Sequence, residues 1–159
     1  MRPTTAAAKT LLSAALLGAS LLSGAVEYAF TPIEAPPGAS QLTVAGINDV
    51  GQIVGSYVDS TQRLHTFIYT AAGFAEILAG SPAAINDLGQ IVGQGGISGV
   101  PPVQRAYLRE PDGTIIDLPV LGRTNFATGI NNLGQIVGYR QNPPISPGLG
   151  FLYSGGSLT

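Results

Sequence analysis

The chain has no cysteine, no tryptophan, one histidine and one methionine. Without cysteine no disulfide can staple the fold, and no thiolate cluster can hold zinc. With His65 as the single histidine, a zinc site would have to rest on carboxylates, and none cluster at ligand spacing. Serines are plentiful, but none stands in a nucleophile-elbow context, so no Ser-His-Asp arrangement is expected at His65. Charge is also scarce, at 10% of residues. After residue 25, Arg63, Arg105, Arg109, Arg123 and Arg140 stand against nine acids, a net charge of about −4. No basic cluster marks a nucleic-acid partner, and no run of like charge marks an anionic membrane surface. The longest early apolar run, Leu11 to Leu22, is a dozen residues, short of the roughly 20 that a spanning helix needs.

What precedes and follows that run reads as an export signal. Arg2 and Lys9 give a positive start, and Ser23-Gly24-Ala25 offers small residues for cleavage before Val26. Residues 1–25 are therefore expected to be a signal peptide, the protein to be secreted, extracellular or periplasmic, and no membrane span to remain after cleavage.

The dominant feature is a repeat. Gly46-Ile-Asn-Asp-Val-Gly-Gln-Ile-Val-Gly55 returns as Ala84-Ile-Asn-Asp-Leu-Gly-Gln-Ile-Val-Gly93 and as Gly129-Ile-Asn-Asn-Leu-Gly-Gln-Ile-Val-Gly138. Apolar, β-branched residues flank a cluster of turn formers, which predicts a hairpin. Asn and Asp side chains bond nearby backbone groups, and the glycine suits the left-handed position of a bulged turn. Asn48, Asn86 and Asn131 are the predicted pins of these turns. Asp49 and Gly51, Asp87 and Gly89, and Asn132 and Gly134 complete them. Each copy continues with a second hairpin. His65-Thr-Phe-Ile-Tyr69, Arg105-Ala-Tyr-Leu-Arg109 and Leu149-Gly-Phe-Leu-Tyr153 are followed by a turn and a closing strand. Alternation places Leu42, Val44 and Gly46 on one face and Thr43, Ala45 and Ile47 on the other. Neither face is strongly polar, so each sheet is expected to be covered on both sides.

The fold class predicted is all-β, built of tandem four-stranded antiparallel meander units. Four strands in roughly 40–50 residues is the size of a propeller blade. The units run over about 41–80, 81–125 and 126–159, within one domain from 26 to 159. The Gly51-to-Gly89 spacing is 38 residues and the Gly89-to-Gly134 spacing is 45. The stretch 27–34 occupies the slot of a closing strand and is expected to complete the last unit, whose own final strand is cut short at Thr159. Three units are fewer than the four to eight blades of a typical propeller. The chain is thus expected to be a fragment of a longer array, to pair with copies of itself, or to form an open curved array.

These motifs resemble the HAF-repeat family of bacterial extracellular proteins. Its Gly-Ile-Asn-Asn-x-Gly-Gln-Ile/Val-Val-Gly element is present nearly verbatim three times. Its His-Ala-Phe-Leu-Tyr strand is degenerate here, as His65-Thr66-Phe67, Arg105-Ala106-Tyr107 and Gly150-Phe151. The resemblance covers about Gln41 to the end. It implies an exported repeat protein and carries over no catalytic residue.

Candidate chemistry is thin. The Asn-Asp turns invite a calcium reading, but the third copy has Asn131-Asn132 and the loop is too short for six ligands, so turn capping explains the pattern. Asp59, Glu76, Glu110, Asp112 and Asp117 are available for glycoside cleavage, but nothing in the sequence places a pair across a cleft. Gly93-Gln-Gly-Gly96 lacks the lysine and following helix of a phosphate loop. Phe67, Tyr69, Tyr107, Phe151 and Tyr153 recur at one strand position and read as core filling rather than a sugar-stacking platform. No metal or cofactor is expected. What varies between copies is the connection between hairpins and the link between units, and a meander brings both sets to one edge. Variable loops on a rigid scaffold are where binding sits. The expected binding face comprises Asp59, Gln62, Arg63, Gln104, Arg105, Arg123 and Asn142. The function expected is a non-enzymatic exported scaffold binding a surface polysaccharide or an envelope protein, with self-association as a further partner. The alternatives are a fragment of a propeller carbohydrate-active enzyme and a truncated product without activity of its own.

Overall fold

The computed structural model describes residues 29–77, 80–95, 105–119, 124–142 and 146–159. The expected signal peptide at 1–25, the connections 96–104 and 120–123, and with them Gln104 and Arg123, lie outside the described residues. The chain divides into two units, 1–33 and 34–159. Residues 29–33 of the first carry no regular structure.

The second unit is all-β, and no helix occurs among the described residues. β1 (Ser40–Ile47), β2 (Ile53–Val58), β3 (Leu64–Thr70) and β4 (Gly73–Ile77) form the first sheet. β5 (Ser81–Ile85), β6 (Ile91–Gly95), β7 (Arg105–Arg109) and β8 (Ile115–Asp117) form the second. β9 (Thr124–Ile130), β10 (Ile136–Asn142), β11 (Ser146–Ser154) and β12 (Ser157–Leu158) form the third. Every pair is antiparallel between chain neighbours, as the repeat predicts. The strands draw on the β-branched and aromatic residues that fit a pleated, half-buried surface.

The second sheet lies between the other two. β1 and β2 pack on β5, and β9 packs on β5, β6 and β7. One core, between sheets one and two, gathers Val54, Ile85, Ile91 and Tyr107. The other, between sheets two and three, gathers Val92, Leu108, Leu118, Ile136 and Phe151. The three sheets do not close into a ring. Only the middle sheet is covered on both faces; Val44 and Ile47 of the first, and Val137, Tyr139 and Leu152 of the third, stand exposed.

Three expectations are corrected. The stretch 27–34 forms no strand over its described residues 29–34, and the third sheet supplies its own fourth strand. Pro32 removes a ladder donor from the first stretch, and Pro36 and Pro37 break the chain just after it. Gly155 and Gly156, both at positive φ, turn the chain tightly enough for a two-residue strand to pair. Coverage of every sheet on both faces fails at the two ends of the stack. The simple alternation of β1 also fails. Val44 pairs with Gly55 and Gly46 with Val54, so Ala45 is an extra residue in a bulge. The same interruption recurs between Pro82 and Ala84 and between Val137 and Gly138.

The bulge explains the last glycine of the motif. A Cβ on Gly55, Gly93 or Gly138 would sit 2.2, 2.1 or 2.1 Å from a carbonyl oxygen of the bulged neighbour, Thr43, Ser81 or Phe126. No side chain fits there.

Candidate functional site

A meander sends its turns alternately to opposite ends of the strands, so each sheet has a turn end and a loop end. The turn end carries the three motif hairpins. In the first, Gly51 N–H donates to Asn48 O at 3.0 Å, and Asn48 N–H to Gln52 O at 3.1 Å. Gly51, Gly89 and Gly134 take φ of 79°, 78° and 72°, the left-handed region that excludes most side chains. The Asn side chain closes the loop: Asn48 Oδ1 accepts from Gln52 N at 2.8 Å, and Asn48 Nδ2 donates to Gln52 Oε1 at 2.8 Å. Asn86 with Gln90 and Asn131 with Gln135 repeat the arrangement.

The second amide hydrogen of Asn48 and of Asn86 does something that the sequence did not reveal. Asn48 Nδ2 donates to Asn86 O at 2.9 Å, and Asn86 Nδ2 to Asn131 O at 3.0 Å. Beside these bonds, Asp49 N–H donates to Asp87 Oδ1 at 2.7 Å and Asp87 N–H to Asn132 Oδ1 at 2.9 Å. The turn residues are thus both the pins of their own hairpins and a ladder running from sheet to sheet. The unvarying glutamine after each glycine was the available signal for the pin. Nothing in a single repeat signals the ladder.

Between the turns of the first two sheets lies a cleft of about 400 Å³, lined by Val50, Ile68, Leu88 and Pro111 with Gln52 and Arg109. Arg109 Nη1 donates to Glu110 O at 3.2 Å, while its buried Nε has no partner among the described residues.

The loop end holds the described members of the expected binding face. Asp59, Gln62 and Arg63 lie in the β2–β3 connection, Arg105 opens β7 and Asn142 closes β10. Asp59 builds its own loop. Its Oδ1 accepts from Thr61 N and Thr61 Oγ1, both at 2.7 Å, and from Arg63 N at 3.0 Å. These bonds, the backbone Arg63 bond first, hold its carboxyl far below the ordinary carboxylate range. They also hold Gln62 at a φ of 64°, unusual for a residue with a side chain. Arg105 Nη1 lies 3.8 Å from Asp117 Oδ2.

The residues that sequence reasoning missed are the partners of His65. Its Nδ1–H donates to Glu76 Oε1 at 2.7 Å, and its Nε2–H to Asp59 Oδ2 at 2.9 Å. Tyr57 stacks on the ring, 4.9 Å between centroids and 12° between planes, and donates its hydroxyl to Glu76 Oε2 at 3.1 Å. Two carboxylate acceptors call for hydrogen on both ring nitrogens, so the doubly paired arrangement is that of the imidazolium form. Its pKa is raised, first by the Glu76 bond and then by the Asp59 bond, and that of Glu76 is lowered, first by His65. The stabilisation from His65 is complete below the ordinary imidazole pKa and is lost as pH rises through the raised folded value. The contributions of Asp59 and Glu76 are complete above their ordinary values and fade as pH falls through the lowered ones. The cluster is therefore intact from mildly acidic pH up to the raised histidine value. Because His65 is the single histidine, its ring protons titrate alone in an NMR spectrum. The midpoint is expected above about 6.5, and Glu76→Gln is expected to lower it. A midpoint at the ordinary value would contradict the paired imidazolium.

Asp59 stands at the loop end, whereas Glu110 and Asp112 sit in the β7–β8 turn at the opposite end, so these carboxylates do not converge. Among the described residues no three His, Cys, Asp or Glu side chains gather as a metal-binding group.

These observations define the class: an all-β protein of tandem four-stranded repeats, with hydrogen-bonded turns at one end of its strands and connections of varied length at the other. No family model, curated protein or solved structure matches the chain.

Proposed function

We propose that this chain is an exported, non-enzymatic repeat scaffold of the HAF type that binds a partner at the cell envelope through its loop end. The observation that carries the reading is the division of labour between the two ends of the strands. Between the sheets, the turn end spends its polar groups on itself, in the pins and the ladder. At the loop end the connections differ in length and sequence from repeat to repeat, and the polar groups of Asp59, His65 and Glu76 are fixed by mutual bonds and partly open to solvent. A surface whose side chains are already ordered loses less conformational entropy on binding.

The partner proposed is a surface polysaccharide or an envelope protein. The test replaces the connection 96–104 with the shorter 59–63 connection and measures co-sedimentation with isolated cell envelopes, before and after protease digestion of the envelopes. The expected result is binding weakened at least tenfold, on the order of 1.4 kcal/mol, with an unchanged thermal unfolding curve. Binding that survives protease digestion assigns the partner to the polysaccharide, and binding abolished by it assigns the partner to protein. Unchanged binding, or a swapped chain that no longer folds, would sink the reading.

A further inference from the structure

The inter-sheet ladder has a direction, and its two ends are complementary. Each of the first two repeats donates an Asn amide and a backbone N–H to the repeat that follows, and one bond, from Asn132 Nδ2 to Asp87 Oδ2, runs the other way. At the leading end, Asn48 O accepts, among the described residues, only from Gly51 N, whereas Asn86 O and Asn131 O each accept both from their own turn glycine and from the preceding repeat. The Asp49 carboxylate accepts no hydrogen bond from the described residues, although the matching groups of Asp87 and Asn132 do. At the trailing end, Asn131 Nδ2 donates to Gln135 Oε1, and its second hydrogen and the Asn132 N–H have no acceptor among the described residues. One end thus lacks donors and the other lacks acceptors, in matching positions.

The apolar faces tell the same story. Ile47 is 66% exposed, while Ile85, the same residue one repeat later, is 6% exposed against the first sheet. Val137 is 49% exposed, while Val92 at the same position is fully buried. Each end of the stack therefore shows half of a joint that the molecule already forms twice internally. Charge fits as well. The second turn residue is Asp, Asp and Asn in the three repeats, so joining the trailing end to a leading end sets neutral Asn132 against Asp49.

We propose that a second copy of this chain occupies these faces head to tail, so that two copies close a six-repeat ring. The new joints repeat the internal ones, with Asn131 Nδ2 donating to Asn48 O and Asn132 N–H to Asp49 of the partner copy. Such a joint uses two different surfaces, and it closes only if the rotation per repeat returns to its start. Six blades fall within the range of natural rings.

Light scattering on the purified protein over a concentration series is expected to give twice the chain mass. Ile47→Lys and Val137→Glu alter exposed side chains, so folding is retained, as circular dichroism will show. Each variant alone is expected to fall to one chain mass. An equimolar mixture of the two is expected to return to two chains, because one joint is then native and the other pairs Lys with Glu. A second measurement does not depend on those substitutions. The chain lacks cysteine, so a Val50→Cys copy mixed with a Leu133→Cys copy under mild oxidation is expected to give a mixed disulfide in preference to either self-linked product. One chain mass at every concentration overturns the proposal and leaves the faces to further repeats or another partner. Growth without limit overturns the closed pair, as does self-linking that matches mixed linking.

Discussion

Replacing Asn86 by alanine is expected to destabilise the protein by about 3 kcal/mol. The residue is almost fully buried, and its side chain is bonded on both sides of the joint between the second and third sheets. Its Oδ1 accepts from Leu88 N and Gln90 N, and its Nδ2 donates to Gln90 Oε1 and Asn131 O. Alanine removes all four and leaves the Leu88 and Gln90 N–H groups of a tight turn with no other partner among the described residues. A net hydrogen bond contributes about 1 kcal/mol, and a buried polar group left unpaired costs 1–3 kcal/mol, so the turn groups dominate. Thermal unfolding should fall on the order of 10 °C for a domain of this size. Asn131→Ala is the informative control. Asn131 pins an identical turn but donates to no following repeat within the chain. Measured on the single chain, it should cost about 1 kcal/mol less than Asn86→Ala. Equal losses would show that the inter-sheet bond contributes nothing.

Gly93→Ala is the second large effect, and its cause is steric rather than polar. The new methyl would lie 2.1 Å from Ser81 O and 2.8 Å from Pro82 Cα, both backbone atoms of a neighbouring strand. Neither can move aside as a flexible side chain would. Relief requires β5 and β6 to part in the sheet packed on both faces. Overpacking of a core costs about 1–3 kcal/mol, and with backbone on the far side the loss should reach the top of that range, read from denaturant unfolding. Gly150→Ala, whose nearest contact is 3.8 Å away, should lie within about 0.5 kcal/mol of the parent. Similar losses at the two positions would mean that glycine matters there through unfolded-chain entropy, not through close approach.

The pattern of these residues shows where sequence reading succeeds. Gly-Gln-Ile-Val-Gly after an Asn pair is a local code: turn, left-handed glycine and strand are all set by neighbours within ten residues, and the three hairpins form where that code places them. The meander follows because every connection of the second hairpin is short. The bulge at Ala45 had no such marker, since an extra residue in a strand looks like any other until its partner is known. The ladder was hidden for a similar reason. Asn48 reads as a turn former, but the acceptor of its second hydrogen lies 38 residues on and depends on how sheets stack. His65 and Glu76 meet only through the β3–β4 register, in which Phe67 pairs with Glu76. A lone histidine gives no hint of it. Two-residue β12 lies below any periodicity that a sequence window can detect.

The two repeat lengths and the two ladder bonds lead to a separate consequence. Gly51 and Gly89 are 38 residues apart, Gly89 and Gly134 are 45 apart, yet the Asn bonds across the two joints measure 2.9 and 3.0 Å. Seven additional residues leave no trace at the turn end. The ladder acts as a registration mark: it fixes the pitch of the stack at one edge, so the other edge is free to gain or lose chain. A lineage of such proteins can therefore rewrite its loop surface by insertion and deletion without having to solve the stacking of its sheets again.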